Sequence, residues 1–249
     1  MNFNALLRHA GAACIVATLV LTGCSSTGTS SSNPPTEEVV AEQPKKVEKV
    51  ERQAVLRYGR SIENVQRTGE VYLMRGLLNI FSRGMDTLAG RMRGRGFDAI
   101  SFNHADWKPY ADDIIARAKR KQVSYPIIIM GHSLGGNEAP KMANYLAARG
   151  IKTSLIVAFD PTEPQVVGPN IGDVVNYYLP NGRNTFSSAA GFDGKLQNIT
   201  VSHIPGIKHV NVEKNNKLQN QSIEHAMRLT RPLKKAEIAA NRKGLPVSG

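Results

Sequence analysis

The sequence predicts an α/β protein in which a mostly parallel sheet is covered by helices on both faces. Short apolar segments of strand length alternate along the chain with segments whose apolar residues recur at helical spacing. One short segment, Ile127–Met130, is entirely apolar, which is typical of a strand buried on both faces of a parallel sheet. The 249 residues are 41% hydrophobic, which suffices for one domain with a well-buried core and additional tails.

The first half of the chain is predicted to alternate between strands and helices. A helix is assigned where apolar residues fall at i, i+3, i+4 and i+7, as Met85, Leu88, Ala89 and Met92 do. In chain order, the predicted elements are a strand at 70–74, a helix at 85–92, a strand at 97–103, a helix at 110–118 and a strand at 126–130.

The second half continues this alternation. A helix is predicted to begin after Ser133 and to stop at Gly150. It is followed by strands at 153–159, 173–179 and 198–204 and by a final helix at 218–229. Pro140 lacks the N–H group that an unbroken helix needs, so the first of these helices is predicted to kink or to restart with Asn137 as its N-cap. A ligand site is expected beyond the carboxyl ends of the strands.

A glycine-flanked serine follows the apolar strand at 126–130. The chain reads GHSLGG at 131–136, and glycines allow backbone segments to pass close together without a clashing Cβ. Strand, Gly-x-Ser-x-Gly and helix together resemble the nucleophile elbow of the α/β-hydrolase family, over about residues 71–229. The resemblance implies a three-layer α/β-hydrolase fold with Ser133 as nucleophile. The short interval between the strands at 153–159 and 173–179 leaves no room for a large cap domain, so a compact domain is expected.

The resemblance also implies an acid and a histidine base that follow Ser133 in the chain. Asp160 directly follows the strand at 153–159 and is the favoured acid, with Asp193 as the alternative. The base is expected in a loop after the last strand, where His209 is favoured over His203. His203 is instead expected to pack within the strand at 198–204.

Acyl transfer further requires donors for the oxyanion of the tetrahedral intermediate. By the same resemblance, one donor is the backbone N–H of Leu134, directly after the nucleophile. The second is the N–H of Leu77, in the loop after the first strand. Arg75 and Gly76 stand where many hydrolases carry His-Gly, and Arg75 is expected to hold this loop in place.

Charge and cysteine content narrow the classes of partner. The formal net charge of +12 favours anionic partners such as lipid head groups or a cell-wall polymer. Aromatic residues make up only 6% and no basic aromatic motif occurs, which argues against a nucleic-acid-binding protein. The two cysteines, Cys14 and Cys24, form no metal-binding spacing, so neither a metal nor another cofactor is predicted.

The first residues predict export as a lipoprotein. A positive residue, Arg8, and a short apolar stretch are typical of a signal peptide. The sequence LTGC at 21–24 resembles the lipobox of bacterial lipoproteins. The resemblance implies cleavage before Cys24, lipid on its sulfur, and anchoring in the bacterial cell envelope by acyl chains such as palmitate. In a two-membrane organism, the absence of aspartate next to Cys24 implies the periplasmic side of the outer membrane.

Four segments are therefore predicted. They are a lipoprotein signal peptide at 1–23, a flexible tether at 24–56, an α/β-hydrolase domain at 57–231 and a basic C-terminal tail at 232–249.

The expected function is cleavage of acyl ester or thioester bonds by a membrane-anchored serine hydrolase with a Ser-His-Asp triad. Its substrate would be an acyl-containing small molecule or lipid. Two alternatives remain open: an acyltransferase that uses the same residues, and a non-catalytic protein of this fold that binds lipid or cell-wall glycan. The oligomeric state is not predicted.

Overall fold

A computed structural model describes residues 64–77 and 82–242 of the chain. The predicted signal peptide, Cys24, the tether at 24–56 and the first residues of the predicted domain lie outside the described residues. In the described part, no helix combines the length and apolar character needed to cross a bilayer.

The strands and helices follow the predicted alternation. The strands are β1 (Glu70–Arg75), β2 (Asp98–Asn103), β3 (Ile127–His132), β4 (Thr153–Phe159), β5 (Gln165–Val167), β6 (Ile171–Tyr178), β7 (Phe186–Ser188) and β8 (Lys195–Thr200). The helices are α1 (Arg83–Arg93), α2 (Trp107–Lys119), α3 (Leu134–Ala147), α4 (Asn216–Leu229) and α5 (Lys235–Arg242), with short 3₁₀ turns at His104–Asp106 and Val212–Lys214.

Six strands form one parallel sheet in the order β2-β1-β3-β4-β6-β8. The register aligns the carboxyl ends of the central strands, since Met74 pairs with Gly131, His132 with Phe159, and Phe159 with Tyr177. The loops after β1, β3 and β4 therefore leave the sheet at the same edge.

Two hydrophobic clusters lie on opposite faces of this sheet. On one face, Leu88 of α1 and Leu218 of α4 pack against alternate strand residues such as Ile128. On the other face, Ile114 of α2 and Met142 of α3 pack against strand residues of the other alternation. Burying one such side chain contributes about 1.5–3 kcal/mol, so both helix layers are held to the sheet mainly by apolar contact. The predicted three-layer α/β architecture, with a mostly parallel sheet between two helix layers, is confirmed, and only β5 and two short loops lie between β4 and β6, without a large cap.

The end of the sheet differs from the prediction. β8 begins at Lys195 and ends at Thr200, whereas a strand at 198–204 was expected. His203 lies in the turn after it and is exposed, so its expected packing within the strand is wrong. β8 is an edge strand with mostly exposed side chains and therefore lacks the apolar alternation that would mark its start. β5 and β7, which form a separate two-stranded parallel sheet, were not predicted.

Helix α3 runs without interruption through Pro140, so the predicted restart at Asn137 is wrong. The N–H of Asn137 donates to the Ser133 carbonyl at 3.1 Å, as in a regular first helical turn. The side chain of Asn137 contacts the loop after β4, where its Oδ1 accepts from the N–H of Thr162 at 2.9 Å. Asn137 thus connects the helix to the next loop instead of capping a second helix.

Candidate active site

Ser133 lies at a sharp turn between β3 and α3. Its φ of 57° and ψ of −122° fall in a region that residues other than glycine rarely occupy. The glycines on either side make this turn sterically feasible. A Cβ at Gly131 would collide with the carbonyl oxygen of Gly135, and a Cβ at Gly135 would collide with that of Met74. This conformation places the Ser133 hydroxyl beyond the end of β3.

His209 bridges the two other side chains at this edge of the sheet. Its Nε2 lies 2.9 Å from Ser133 Oγ, and its Nδ1 lies 2.7 Å from Asp160 Oδ2. Because Nδ1 faces a carboxylate, it carries the proton and donates it, which leaves the Nε2 lone pair to accept from the serine hydroxyl. The hydrogen bond that His209 donates to Asp160, opposed by partial burial, raises the pKa of His209 above its ordinary value.

Asp160 is buried directly after β4 and is held by several hydrogen bonds. Its backbone has a φ of 47°. Its Oδ1 accepts from the N–H of Leu179 at 2.9 Å and from Nδ2 of Asn184 at 2.9 Å. Oδ2 is thereby left for His209. Asn184 is itself buried and also donates to the Leu179 carbonyl at 2.7 Å. Asn184 could not be identified from the sequence, because a single asparagine in a polar loop carries no pattern.

The structure brings together Ser133, Asp160 and His209 and not their alternatives. Asp193 is exposed near the start of β8, and His203 is exposed in the turn that follows β8. Asp160 accepts the hydrogen bond from Nδ1 of His209, which is the position that the alternative acid Asp193 would have had to occupy.

The loop after β1 lies against the turn at Ser133. A Cβ at Gly76 would lie 3.0 Å from Ser133 Cβ and 3.1 Å from the His132 carbonyl oxygen. Leu77 follows directly and is 56% exposed, and Leu134 is the first residue of α3. Arg75 forms an ion pair with Asp86 of α1 at 2.7 Å, which agrees with a role in holding this loop. The assignment of Leu77 and Leu134 as oxyanion donors stays a prediction.

A second polar group lies buried behind these side chains. His132 Nδ1 is 2.8 Å from Ser82 Oγ, and its Nε2 is 2.8 Å from the carbonyl oxygen of His209. Burial lowers the pKa of His132 to about 4, so its ring is neutral at physiological pH. Neither Ser82 nor its bond to His132 was predicted, because the two residues meet only through the packing of β1's loop on β3.

Glu213 lies beside His132 and is fully buried. Its Oε2 is 3.7 Å from His132 Nε2, and its Oε1 is 3.7 Å from Lys214 Nζ. Neither oxygen has a hydrogen bond of ordinary geometry among the described residues, although the N–H groups of Gly84 and Glu213 lower the pKa somewhat. Burial dominates and raises the pKa of Glu213. No sequence pattern distinguishes Glu213 from a surface glutamate.

Within residues 64–77 and 82–242, no group of three or more His, Cys, Asp or Glu side chains is arranged to hold a metal ion.

No protein-family model and no curated protein matches this chain. Solved structures give distant similarities. One is a hydrolase assigned to the alpha/beta superfamily from Xanthomonas campestris pv. campestris, with a TM-score of 0.35 and 15% identity, covering 65% of this chain and 98% of that one. Another is SrfTE, the thioesterase domain that cyclises the lipopeptide antibiotic surfactin, with a TM-score of 0.39 and 10% identity, covering 68% of this chain and 98% of that one. Both similarities are too distant to carry an argument about this chain.

Proposed function

We propose that this protein is a serine hydrolase that cleaves acyl ester or thioester bonds through Ser133, His209 and Asp160. One observation carries the proposal: the His209 imidazole lies 2.9 Å from the Ser133 hydroxyl and 2.7 Å from the Asp160 carboxylate. A serine hydroxyl becomes an effective nucleophile only when a positioned base removes its proton. A buried carboxylate that holds the base in one tautomer completes this requirement.

The first half of the reaction acylates Ser133. As Oγ forms a bond to the acyl carbonyl carbon, its proton passes to Nε2 of His209, and the carbonyl electrons move onto the oxygen. Asp160 stabilises the resulting imidazolium. The backbone N–H groups of Leu134 and Leu77 are the proposed donors to the oxyanion. When the intermediate collapses, the alcohol or thiol leaves and takes the proton from His209.

The second half releases the acid. A water molecule attacks the acyl-enzyme while His209 accepts its proton, and collapse of the second intermediate returns that proton to Ser133. Acyl transfer would replace the water by an alcohol and use the same residues. The His209 side chain is 42% exposed, so either acceptor can approach it from solvent.

Hydrolysis can be tested with p-nitrophenyl esters of graded acyl length and with a fluorophosphonate probe. We expect turnover and labelling by the wild-type protein, and a loss of at least about 10³-fold in kcat for Ser133→Ala with the same unfolding temperature. Ser202→Ala, at an exposed serine, is the matched control. Full esterase activity in Ser133→Ala would contradict the nucleophile assignment. A folded wild-type protein that is neither labelled nor active would favour the non-catalytic alternative.

We further propose that lipid on Cys24 anchors the protein in the bacterial cell envelope. The support is the LTGC sequence at 21–24 after a short apolar stretch. In cells fed labelled palmitate, Cys24→Ser should lose the label and leave the membrane fraction. Cys14→Ser, a change within the predicted signal peptide, should keep both the label and the membrane location of the wild type. Label or membrane retention in Cys24→Ser would refute the anchor.

A further inference from the structure

We propose that His132 is a positioning residue that ties the loop after β1, which carries one of the two proposed oxyanion donors, to the loop that carries the proposed base. The inference rests on the proposed hydrolytic function and concerns the same site. His132 immediately precedes the nucleophile, yet only 2% of its surface is exposed, so it does not meet substrate. Its two ring nitrogens are each bonded to a different loop.

The hydrogen bonds define one arrangement of protons. The carbonyl oxygen of His209 can only accept, so Nε2 of His132 carries a proton and donates it. In the neutral ring, Nδ1 then has a lone pair and accepts from the Ser82 hydroxyl. Ser82 Oγ in turn accepts from the N–H of Gly76 at 2.9 Å. The three hydrogen bonds therefore form one chain in which each group donates to the next: Gly76 to Ser82, Ser82 to His132, and His132 to the carbonyl oxygen of His209.

The Ser82 end of this chain fixes the loop after β1. Gly76 lies against Ser133, and Leu77, the next residue, provides the proposed second oxyanion donor. The hydrogen bond from Gly76 to Ser82 sets the orientation of the backbone just before that donor. A donor is effective only where the oxyanion forms, so a small rotation of this backbone would weaken it.

The other end fixes the main chain of the base itself. His209 lies between β8 and α4, in a segment without regular structure apart from a short 3₁₀ turn. The bond from His132 reaches the His209 carbonyl, while Asp160 holds the His209 ring. Backbone and side chain of the base are thus held from two different strand ends.

Two variants of similar size can separate these links. Asn places its Oδ1 near the position of Nδ1, so His132→Asn keeps an acceptor for Ser82 and loses the bond to His209. Gln places its Nε2 near the ring Nε2, so His132→Gln keeps the donor to His209 and loses the bond to Ser82. His132→Phe removes both, and Ser82→Ala removes the first from the other side. His225→Gln, at a histidine bonded to Asp173 at 2.7 Å, is the matched control.

The expected kinetic result is a loss in kcat without a loss in substrate binding. We expect kcat on p-nitrophenyl acetate to fall about 10-fold in His132→Asn, His132→Gln and Ser82→Ala, and about 100-fold in His132→Phe, with KM within about twofold of wild type. His225→Gln should retain the wild-type kcat. A kcat within about twofold of wild type in both His132→Asn and His132→Gln would overturn the inference, while loss of activity in Ser133→Ala would leave the proposed function standing.

Hydrogen–deuterium exchange tests the links independently of activity. In His132→Asn, exchange should rise in the peptide that contains His209 and stay unchanged in the peptide that contains Gly76. In His132→Gln, the pattern should be reversed. The same change in both peptides for both variants would show a general structural role and refute the inference. If the wild-type protein fails to hydrolyse esters, the proposed function fails, and the exchange pattern still decides whether His132 ties the two loops.

Discussion

At the scale of single residues, the geometry of the site depends on the two carboxylate oxygens of Asp160, which have different partners. Oδ1 of Asp160 is occupied by Leu179 and Asn184, and Oδ2 is left for the imidazole of His209. The Asp160 side chain therefore has one orientation, and the tautomer of His209 follows from it. The hydrogen bonds from Leu179 and Asn184 thus support the proposed catalysis indirectly, because they orient the Asp160 carboxylate.

Asp160→Asn should lower kcat by about 10³–10⁴-fold at neutral pH, because the amide would favour the wrong tautomer of His209. It should also remove the interaction that raises the pKa of His209, so the acid limb of the activity profile should move to lower pH. The measurement is kcat/KM from about pH 5 to about pH 9, which spans the range in which histidine titrates. Asp193→Asn should match wild type, and equal losses in both variants would show that charge alone matters.

At the scale of elements, the turn between β3 and α3 is built for close approach. Gly135 lies against the Met74 carbonyl of β1, so the start of α3 is pressed onto the neighbouring strand. Only a residue without a Cβ fits this contact. The helix itself, with Pro140 in its interior, is held by the residues that it buries against the sheet.

Gly135→Ala should destabilise the protein by more than about 2 kcal/mol, since backbone atoms must move to make room. The matched control is Gly90→Ala, at an exposed position of α1 where the nearest atom lies 3.8 Å from the added Cβ. That substitution should raise the free energy of unfolding by about 0.5–1 kcal/mol through helix propensity. Urea titration measures both. Similar stabilities of the two variants would contradict the close approach.

Most elements and the three central side chains could be predicted from the sequence. Regular apolar spacing marked α1 to α4. Asp160 and His209 were selected because the resemblance to α/β-hydrolases implies an acid at a later strand end and a base in the loop after the last strand. β8 was misplaced because an edge strand needs no apolar alternation. Ser82, Asn184 and Glu213 were missed because their roles arise from contacts between segments far apart in the chain. Such contacts leave no local pattern in the sequence.

At the scale of the whole molecule, two buried groups give stability opposite dependences on pH. The pKa of His132 is lowered from 6.5 to about 4, so its contribution is present above the ordinary pKa and is lost as pH falls toward 4. The pKa of Glu213 is raised from 4.5, so its contribution is present below that value and is lost as pH rises through the folded-state pKa. The titratable and charged groups facing this pair are His209, Asp160 and Lys214.

Glu213→Gln should therefore stabilise the protein in alkaline solution, where the wild-type carboxylate is charged and poorly paired. We expect a gain of about 1–3 kcal/mol at high pH, the cost of an unsatisfied buried group, and a smaller difference in acid, where both side chains are neutral. Chemical denaturation at several pH values measures this. Glu138→Gln, on the surface of α3, should show no such trend. A variant less stable than wild type at every pH would mean that the carboxylate is well stabilised.

The position of β8 has a consequence for heat inactivation. His209, the proposed base, is carried by the segment that follows this outermost strand, whereas Ser133 and Asp160, the proposed nucleophile and acid, follow central strands. An edge strand with few buried side chains unfolds locally at a lower free-energy cost than the central strands of the sheet do. Ester cleavage should accordingly disappear on warming before circular dichroism reports loss of the helices, with recovery on cooling. If activity and circular dichroism gave the same melting curve, β8 and the central strands would unfold together.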